Sequence, residues 1–291
     1  MANLEQLINE KQAADTQWRE QRQTERQTVT DTQDSEITRI TTDPAAYARY
    51  LNMQADNLSY SPGNIALVMA QSPTATVFGT PERWRSMGRS VQSAELGKGI
   101  GIFARSEQGY VMADAFDISQ TDGRELRKPP QLTDESKEME GALKALLNYS
   151  VVPVVADTEM ETPAFYDQSN LELAINPAYS DSEAFAAIAA EVAHSRFHKR
   201  GYNADYLRAD CDLDAQSISY ILCRRFGVSR DLPDLSKLSD LYRDWPPESR
   251  RAILDGIQDL SKKMGYSIEK DIKPPQRSIP VTRKPPKHNT R

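Results

Sequence analysis

The chain has 291 residues, of which 38% are hydrophobic and 27% are charged, and its formal net charge is −6. This length allows one large domain or two small ones, and no apolar run approaches the roughly 20 residues that span a bilayer. A protein that is basic over its whole surface is excluded, because the tail 273–291 carries six cations and no acidic residue and leaves a net charge of −12 for residues 1–272.

The N-terminal residues predict a polar segment outside any core. Residues 1–43 are rich in Gln, Thr, Glu and Arg and poor in aliphatic side chains, so we expect a loosely attached or disordered arm, or a polar helix. The arm lacks the basic and then apolar pattern of a secretion signal. With only Cys211 and Cys223 in the chain, no disulfide framework is expected. The sequence predicts a cytoplasmic protein that does not bind membranes.

A first compact block of α+β character is predicted over residues 44–122. An Asp-Pro pair that begins at Asp43 predicts the N-terminus of a helix, and the apolar run from Asn64 predicts a second helix. Residues 81–88 predict a short helix closed by a glycine. Two alternating segments on either side of Gly109 predict a β-hairpin.

A second block is predicted after a connector that contains two prolines, residues 123–133. The block spans residues 134–272 and combines three short strands with four helices, two of which are predicted to end at Gly227 and Gly265. The Pro-rich basic tail 273–291 is predicted to be disordered. The chain is therefore predicted to be α+β, with a small α+β domain followed by a mostly helical α+β domain.

Fourteen positions in order along the first block form a motif. They are Tyr60, Ser61, Asn64, Gln71, Pro73, Ala75, Thr76, Trp84, Gly88, Arg89, Val91, Lys98, Gly99 and Ile100. This pattern resembles the N-terminal domain of ArdC-type antirestriction proteins, which is associated with binding of single-stranded DNA. The resemblance implies the same partner for this chain.

Binding of a single strand requires cations along the phosphates and aromatic faces on which bases stack. The candidate binding residues are Tyr60, Asn64, Gln71, Arg83, Trp84, Arg85, Arg89, Lys98 and Arg105. The alternatives are a core position for Trp84 and a solvated face for the cations. Asn64 could instead cap its helix, and Gln71 could read a base edge or only end that helix. The basic tail could attract phosphate or serve only solubility.

A second motif lies in the segment AAEVAHSRFH, residues 189–198, and the later segment DLDAQSISYILCRRFGV, residues 212–228. Together they are similar to the zincin-like C-terminal domain of ArdC-type and LtrC-like proteins of mobile elements. In that domain His-Glu-x-x-His lies on one helix. The resemblance implies a zincin-like domain here.

The sequence departs from that metal-binding pattern at two positions. A zincin holds Zn²⁺ with two histidines four residues apart, and the glutamate beside the first histidine activates the bound water. Glu191 and His194 match, and Asp212 aligns with a third, carboxylate ligand, but Ala190 replaces the first histidine and Gln216 replaces a glutamate. Because this alignment leaves two protein ligands instead of three, we expect no zinc at a site formed by His194 and Asp212. Glu191 would be catalytic only if that site is active.

A shifted register stays open as an alternative. His194 and His198 are also four residues apart, and Asp212 or Cys211 could complete a three-ligand set. Because a serine follows His194 where the general base would be needed, such a zinc site would be structural at most. Without a metal ion, Glu191 would pair with an arginine or with His194, and His198 would be a solvated residue near the helix C-terminus.

Three functions are compatible with these patterns. The first is a single-stranded DNA-binding protein of a conjugative element, which protects incoming DNA from host restriction and keeps the zincin-like domain as a scaffold or docking surface. The second is an active zinc metallopeptidase that cleaves a protein regulator. The third is a non-enzymatic protein that binds a protein partner through its acidic second block.

Overall fold

A computed structural model of the chain describes residues 3–107, 109–127, 129–199 and 206–272. The helices are α1 (Leu4–Ile40), α2 (Pro44–Asp56), α3 (Pro62–Gln71), α4 (Pro81–Ser86), α5 (Lys137–Tyr149), α6 (Asp181–Lys199), α7 (Arg208–Phe226), α8 (Leu238–Leu241) and α9 (Pro247–Ile272). The strands are β1 (Phe78–Gly79), β2 (Arg89–Val91), β3 (Ile100–Ser106), β4 (Gly109–Asp117), β5 (Thr121–Gly123), β6 (Val154–Ala156), β7 (Ala164–Asp167) and β8 (Glu172–Ile175).

The N-terminal arm is one long helix whose last turns belong to the core. The side chain of Asn3 caps α1, and residues 4–28 expose nearly all of their side chains, in line with their polar composition. Ile37 and Ile40 are fully buried, in the part of the chain where α1 packs against α3 and α9. The arm is therefore anchored at its C-terminal end by a few apolar residues, which the polar average composition of residues 1–43 did not indicate.

Two antiparallel sheets lie in the first half. One has the strand order β1-β4-β3, in which β3 and β4 form the hairpin predicted around Gly109, and the other pairs β2 with β5. The inner face of the hairpin carries Ile100 and Ile102, both buried. The outer face carries the next residues along the strand, because side chains alternate between faces. Strand β3 is at the edge of its sheet, and α3 packs beside it.

The second half contains a three-stranded sheet covered by helices. The strand order is β6-β8-β7, with β6 parallel and β7 antiparallel to β8, so β7 is an edge strand. Helix α6 packs on β7 and on α7. Helix α7 ends, as predicted, at Gly227, which takes the left-handed conformation with φ 72°. This arrangement brings the motif residues of α6 next to the first turns of α7.

The two halves share a hydrophobic core. Apolar residues of α1, α2 and α3 belong to the same buried cluster as those of α6, α7 and α9. Hydrogen bonds also cross between the halves: the hydroxyls of Tyr47 and Ser217 are 2.9 Å apart, and the Tyr220 hydroxyl donates to Asn52 Oδ1 at 2.8 Å. The connector predicted over residues 123–133 therefore joins halves that pack together.

Helix α9 continues beyond its predicted end at Gly265 and reaches Ile272. A Cβ atom at Gly265 would lie 3.1 Å from Leu58 Cδ2 and 3.5 Å from Leu222 Cδ2. The glycine thus allows α9 to approach its neighbours closely, and Ile268 in the next turn is fully buried. The prediction of a helix end at Gly265 is wrong because the glycine serves packing, not termination.

Helices with small sheets in both halves confirm the α+β class predicted from the sequence. The basic tail 273–291 lies outside the described residues. Within the part that is described, every helix is too short or too polar to cross a membrane.

Candidate functional site

Glu191 lies on the buried face of α6, where two groups hold its carboxylate. Arg208, the first residue of α7, donates from Nη1 to Oε2 at 2.9 Å and from Nη2 to Oε1 at 2.5 Å. The backbone N–H of Tyr166 in β7 donates to Oε2 at 2.7 Å, and the guanidinium lies 4.9 Å from the centre of the Phe165 ring. The carboxylate considered as a general base is therefore engaged in an ion pair and in a contact with β7.

His194 is fully buried and both of its ring nitrogens have hydrogen-bond partners. Nε2 lies 3.3 Å from Asp212 Oδ1, and Nδ1 lies 2.9 Å from the Tyr206 hydroxyl. The hydrogen bond with His194 lowers the pKa of Asp212, so the carboxylate accepts the proton on Nε2. Burial raises the pKa of Tyr206, so its hydroxyl keeps a proton to donate to Nδ1. Both ring nitrogens are therefore engaged with protein groups, and a metal ion would have to displace one of these partners.

His198 lies between two tyrosines one turn further along α6. Its Nδ1 is 2.6 Å from the Tyr166 hydroxyl, and its ring stacks on Tyr206 with the ring centres 4.8 Å apart. The prediction of a solvated residue is wrong, because His198 is half-buried by these aromatic contacts. Burial also raises the pKa of the Cys211 thiol to about 11, which keeps the thiol protonated at neutral pH.

These residues do not fit a zinc centre. Ala190 is buried and has no donor atom, Glu191 is paired with Arg208, and both nitrogens of His194 are engaged. Among the residues that the structure describes, no three His, Cys, Asp or Glu side chains are arranged to hold a metal ion. The fold brings His194 and Asp212 together, but His198 does not join them in a three-ligand set, and no hydrolytic step follows from this geometry.

Two side-chain amides of α3 bind the open edge of β3. Asn64 donates to the Phe103 carbonyl at 2.8 Å and accepts the Phe103 N–H at 3.0 Å. Two turns later, Gln71 does the same with Gly101, at 2.9 and 3.0 Å. Each amide thus satisfies the backbone as a neighbouring strand would, and neither is free to read a base. The cap of α3 is Ser61, so the alternative in which Asn64 caps its helix is wrong.

Replacement of Asn64 by Ala is expected to lower the free energy of unfolding by about 2–4 kcal/mol, because both polar groups of Phe103 lose their partner. The matched change Gln71→Ala is expected to cost only about 1 kcal/mol, since Gln71 is exposed and water can replace its amide. Denaturation in guanidinium chloride measures both losses. Equal losses in the two variants would contradict this difference.

Two further DNA-binding candidates have roles inside the protein. Trp84 is 0% exposed, and its Nε1 donates to the Phe116 carbonyl at 2.9 Å. The prediction that bases stack on Trp84 is wrong, because no face of the ring is open. Arg89 donates to the hydroxyl and carbonyl of Thr121 at 2.8 and 2.6 Å and to the Arg124 carbonyl at 2.6 Å. Arg89 thus fixes the backbone around β5.

Tyr60 and Arg83 form a half-exposed pair of an aromatic ring and a cation. The Tyr60 ring lies against Phe78 with the centres 4.3 Å apart, and the Arg83 guanidinium lies 5.0 Å from the Tyr60 ring centre. Burial raises the pKa of Tyr60. Tyr60 therefore packs partly against the core, and the pair is only partly accessible from the surface.

Arg85, Lys98 and Arg105 are exposed, as a phosphate contact requires. Arg85 pairs with Glu82 at 2.7 Å and Lys98 pairs with Glu95 at 3.1 Å, both at the surface. A phosphate would have to compete with these carboxylates. Arg105 at the end of β3 has no such ion pair among the described residues, and is the most available of the three cations.

The outer face of the β3–β4 hairpin brings together residues that the sequence analysis mostly missed. Arg105 stands opposite Tyr110, and Phe103 stands opposite Met112. Tyr110 is 66% exposed, while Phe103 and Met112 are half-exposed. The alternation on either side of Gly109 was the signal that could have placed these four side chains on one face.

Comparisons with known proteins give a weak structural likeness. No family model matches the chain, and no curated protein matches it. The Mn(II)-bound crystal structure of the antirestriction protein ArdC from the R388 plasmid is 16% identical, with a TM-score of 0.44, covering 73% of this chain and 85% of that one. The metal-free crystal structure of the same protein is 15% identical, with the same coverage and TM-score.

Proposed function

We propose that the chain binds single-stranded DNA on the outer face of the β3–β4 hairpin. The observation that carries this proposal is the cross-strand pair of Arg105 and Tyr110, in which an exposed aromatic ring lies next to an arginine without an ion pair among the described residues. A base stacks on such a ring, while the adjacent cation binds the phosphate. Phe103 and Met112 extend the same face towards the body of the protein.

The remaining candidates support this interface to different degrees. Arg85 and Lys98 supply exposed charge that a strand of DNA can recruit from their salt bridges, since surface ion pairs contribute little stability. Arg83 and Tyr60 offer a second, less exposed aromatic surface. Asn64, Gln71, Trp84 and Arg89 contribute by holding the hairpin and its sheets in place.

In this function the chain covers the single-stranded DNA of a conjugative element and shields it from host restriction, as the resemblance of the first motif implies. The second half of the chain, which contains α6 and α7, acts as a scaffold. Peptidase activity is not proposed, because Glu191, which would be the general base, and the buried His194 are already hydrogen-bonded to protein groups.

Replacement of Tyr110 by Ala is expected to weaken binding of an unstructured oligonucleotide about tenfold, which corresponds to the loss of one stacked base. Replacement of Arg105 by Ala is expected to reduce the slope of log affinity against log salt by about 0.7, the contribution of one phosphate contact to a single strand. Fluorescence anisotropy with a labelled oligonucleotide at several salt concentrations measures both effects.

Tyr266→Ala and Arg243→Ala serve as matched controls, because they remove the same side chains from exposed positions in the second half. Both are expected to bind like the wild type. Normal binding by the Tyr110 variant would exclude the hairpin face as the interface. No binding by the wild type at low salt, where phosphate contacts are strongest, would refute the function itself.

A further inference from the structure

We propose that Arg208 supplies the positive charge at the α6–α7 site, which is formed by Glu191 and His194 of α6 and Asp212 of α7. Its guanidinium neutralises Glu191 and holds α6, α7 and β7 together without a metal ion. This inference does not depend on DNA binding. It concerns the residues that stand where the sequence pattern implied a zinc site.

The contact between Arg208 and Glu191 has the geometry of a strong ion pair. Both terminal nitrogens of the guanidinium donate, one to each carboxylate oxygen, at 2.9 and 2.5 Å. The Glu191 side chain is 7% exposed, and that of Arg208 is 32% exposed. Parallel hydrogen bonds of this kind fix orientation as well as charge. The Phe165 ring covers the guanidinium at 4.9 Å from its centre, so the arginine is held on two sides.

Glu191 connects three elements through this pair. It is part of α6, its partner Arg208 begins α7, and its Oε2 also accepts the N–H of Tyr166 in the edge strand β7. An edge strand leaves alternate N–H groups without a partner, and Glu191 satisfies this one. Loss of the guanidinium would therefore leave a buried carboxylate uncompensated at a junction of two helices and a sheet.

A second arginine completes the charge balance beside Asp212. Arg230 donates to Gln216 Oε1, and Gln216 Nε2 donates to Asp212 Oδ1 at 3.2 Å. Among the described residues, the carboxylates of Glu191 and Asp212 are thus matched by the guanidinium groups of Arg208 and Arg230. Within the part of the chain that the structure describes, no third carboxylate joins Glu191 and Asp212 in a group that could hold a divalent cation. The two departures from the zincin pattern, Ala190 and Gln216, therefore occur together with arginines that supply positive charge.

A double-mutant cycle on thermal unfolding tests the proposal. Arg208→Ala and Glu191→Gln are each expected to lower the unfolding midpoint by about 5 °C. The double variant is expected to lose clearly less than the sum of the two shifts, because each single change leaves the other group unpaired. Arg208→Lys keeps the charge but loses the two parallel hydrogen bonds of the guanidinium. Its unfolding midpoint is expected to lie between those of the wild type and Arg208→Ala.

The control is Arg224→Ala on the same helix, whose ion pair with Asp56 at 3.2 Å is exposed and whose loss is expected to shift the midpoint by less than about 2 °C. The wild-type midpoint is expected to be unchanged by EDTA and by a tenfold excess of zinc chloride. Additive shifts in the cycle, or a loss in Arg208→Ala no larger than in Arg224→Ala, would overturn the proposal. So would a wild-type midpoint that EDTA lowers or zinc raises. If Arg208→Ala does not fold, the lysine variant and the EDTA and zinc measurements still decide the matter.

Discussion

Replacement of Asp214 by Asn is expected to remove a large contribution to the pH dependence of stability between pH 4 and pH 7. Burial raises the pKa of Asp214 from its ordinary value of 3.8 to about 7. Within that window the folded state binds a proton that the unfolded state has released, so the free energy of unfolding of the wild type falls as the pH rises. Above pH 7 both states are ionised, and the wild type bears the full cost, which is up to about 4 kcal/mol.

Asparagine avoids this cost because it is neutral at every pH in the window. Its Oδ1 can still accept the hydrogen bond that the Tyr242 hydroxyl donates to Asp214 at 3.4 Å. Burial raises the pKa values of the Tyr47 and Tyr50 phenols, and the charge of Asp214 raises them further. All three phenols therefore stay neutral in this pH range and supply no compensating charge.

Urea denaturation at pH 4.5, 6 and 7.5 measures the effect. The stability of the Asp214→Asn variant is expected to exceed that of the wild type most at pH 7.5 and least at pH 4.5. Asp231→Asn, the same change at an exposed position, is expected to follow the wild type. An unchanged slope of stability against pH in the Asp214→Asn variant would show that another group controls the titration.

Local signals in the sequence were sufficient for the elements that depend on neighbouring residues. The hairpin follows from alternation around Gly109, and the end of α7 follows from Gly227, whose left-handed conformation disfavours other residues. Gly265 carries the same local signal, but its role is set by contacts with Leu58 and Leu222, which are distant in sequence. The anchored end of α1 was missed for the same reason, since Ile37 and Ile40 make sense only beside α3 and α9.

The candidate site shows the same limit at the level of single residues. The motif located Glu191 and His194 correctly on one helix, but their hydrogen-bond partners Arg208, Tyr206 and Tyr166 lie 12 to 25 positions away in sequence. No spacing rule relates such residues before the fold is known. Composition alone could not decide whether an aromatic residue in a basic segment faces solvent or the core. The register of the hairpin places Tyr110 on the solvent-exposed face, whereas Trp84 is buried in the core, where it donates to the Phe116 carbonyl.

Trp84 provides the sharpest test of that distinction. Replacement by Leu is expected to lower the free energy of unfolding by about 3 kcal/mol, because the core loses ring volume and the Phe116 carbonyl loses its donor. DNA affinity, measured at a temperature where the variant is folded, is expected to stay within about twofold of the wild type, whereas loss of a stacking ring would weaken it about tenfold. Trp18→Leu, at a position that is 60% exposed, is the control and is expected to leave stability nearly unchanged. A folded Trp84→Leu protein with normal stability and tenfold weaker binding would place this ring on the DNA and not in the core.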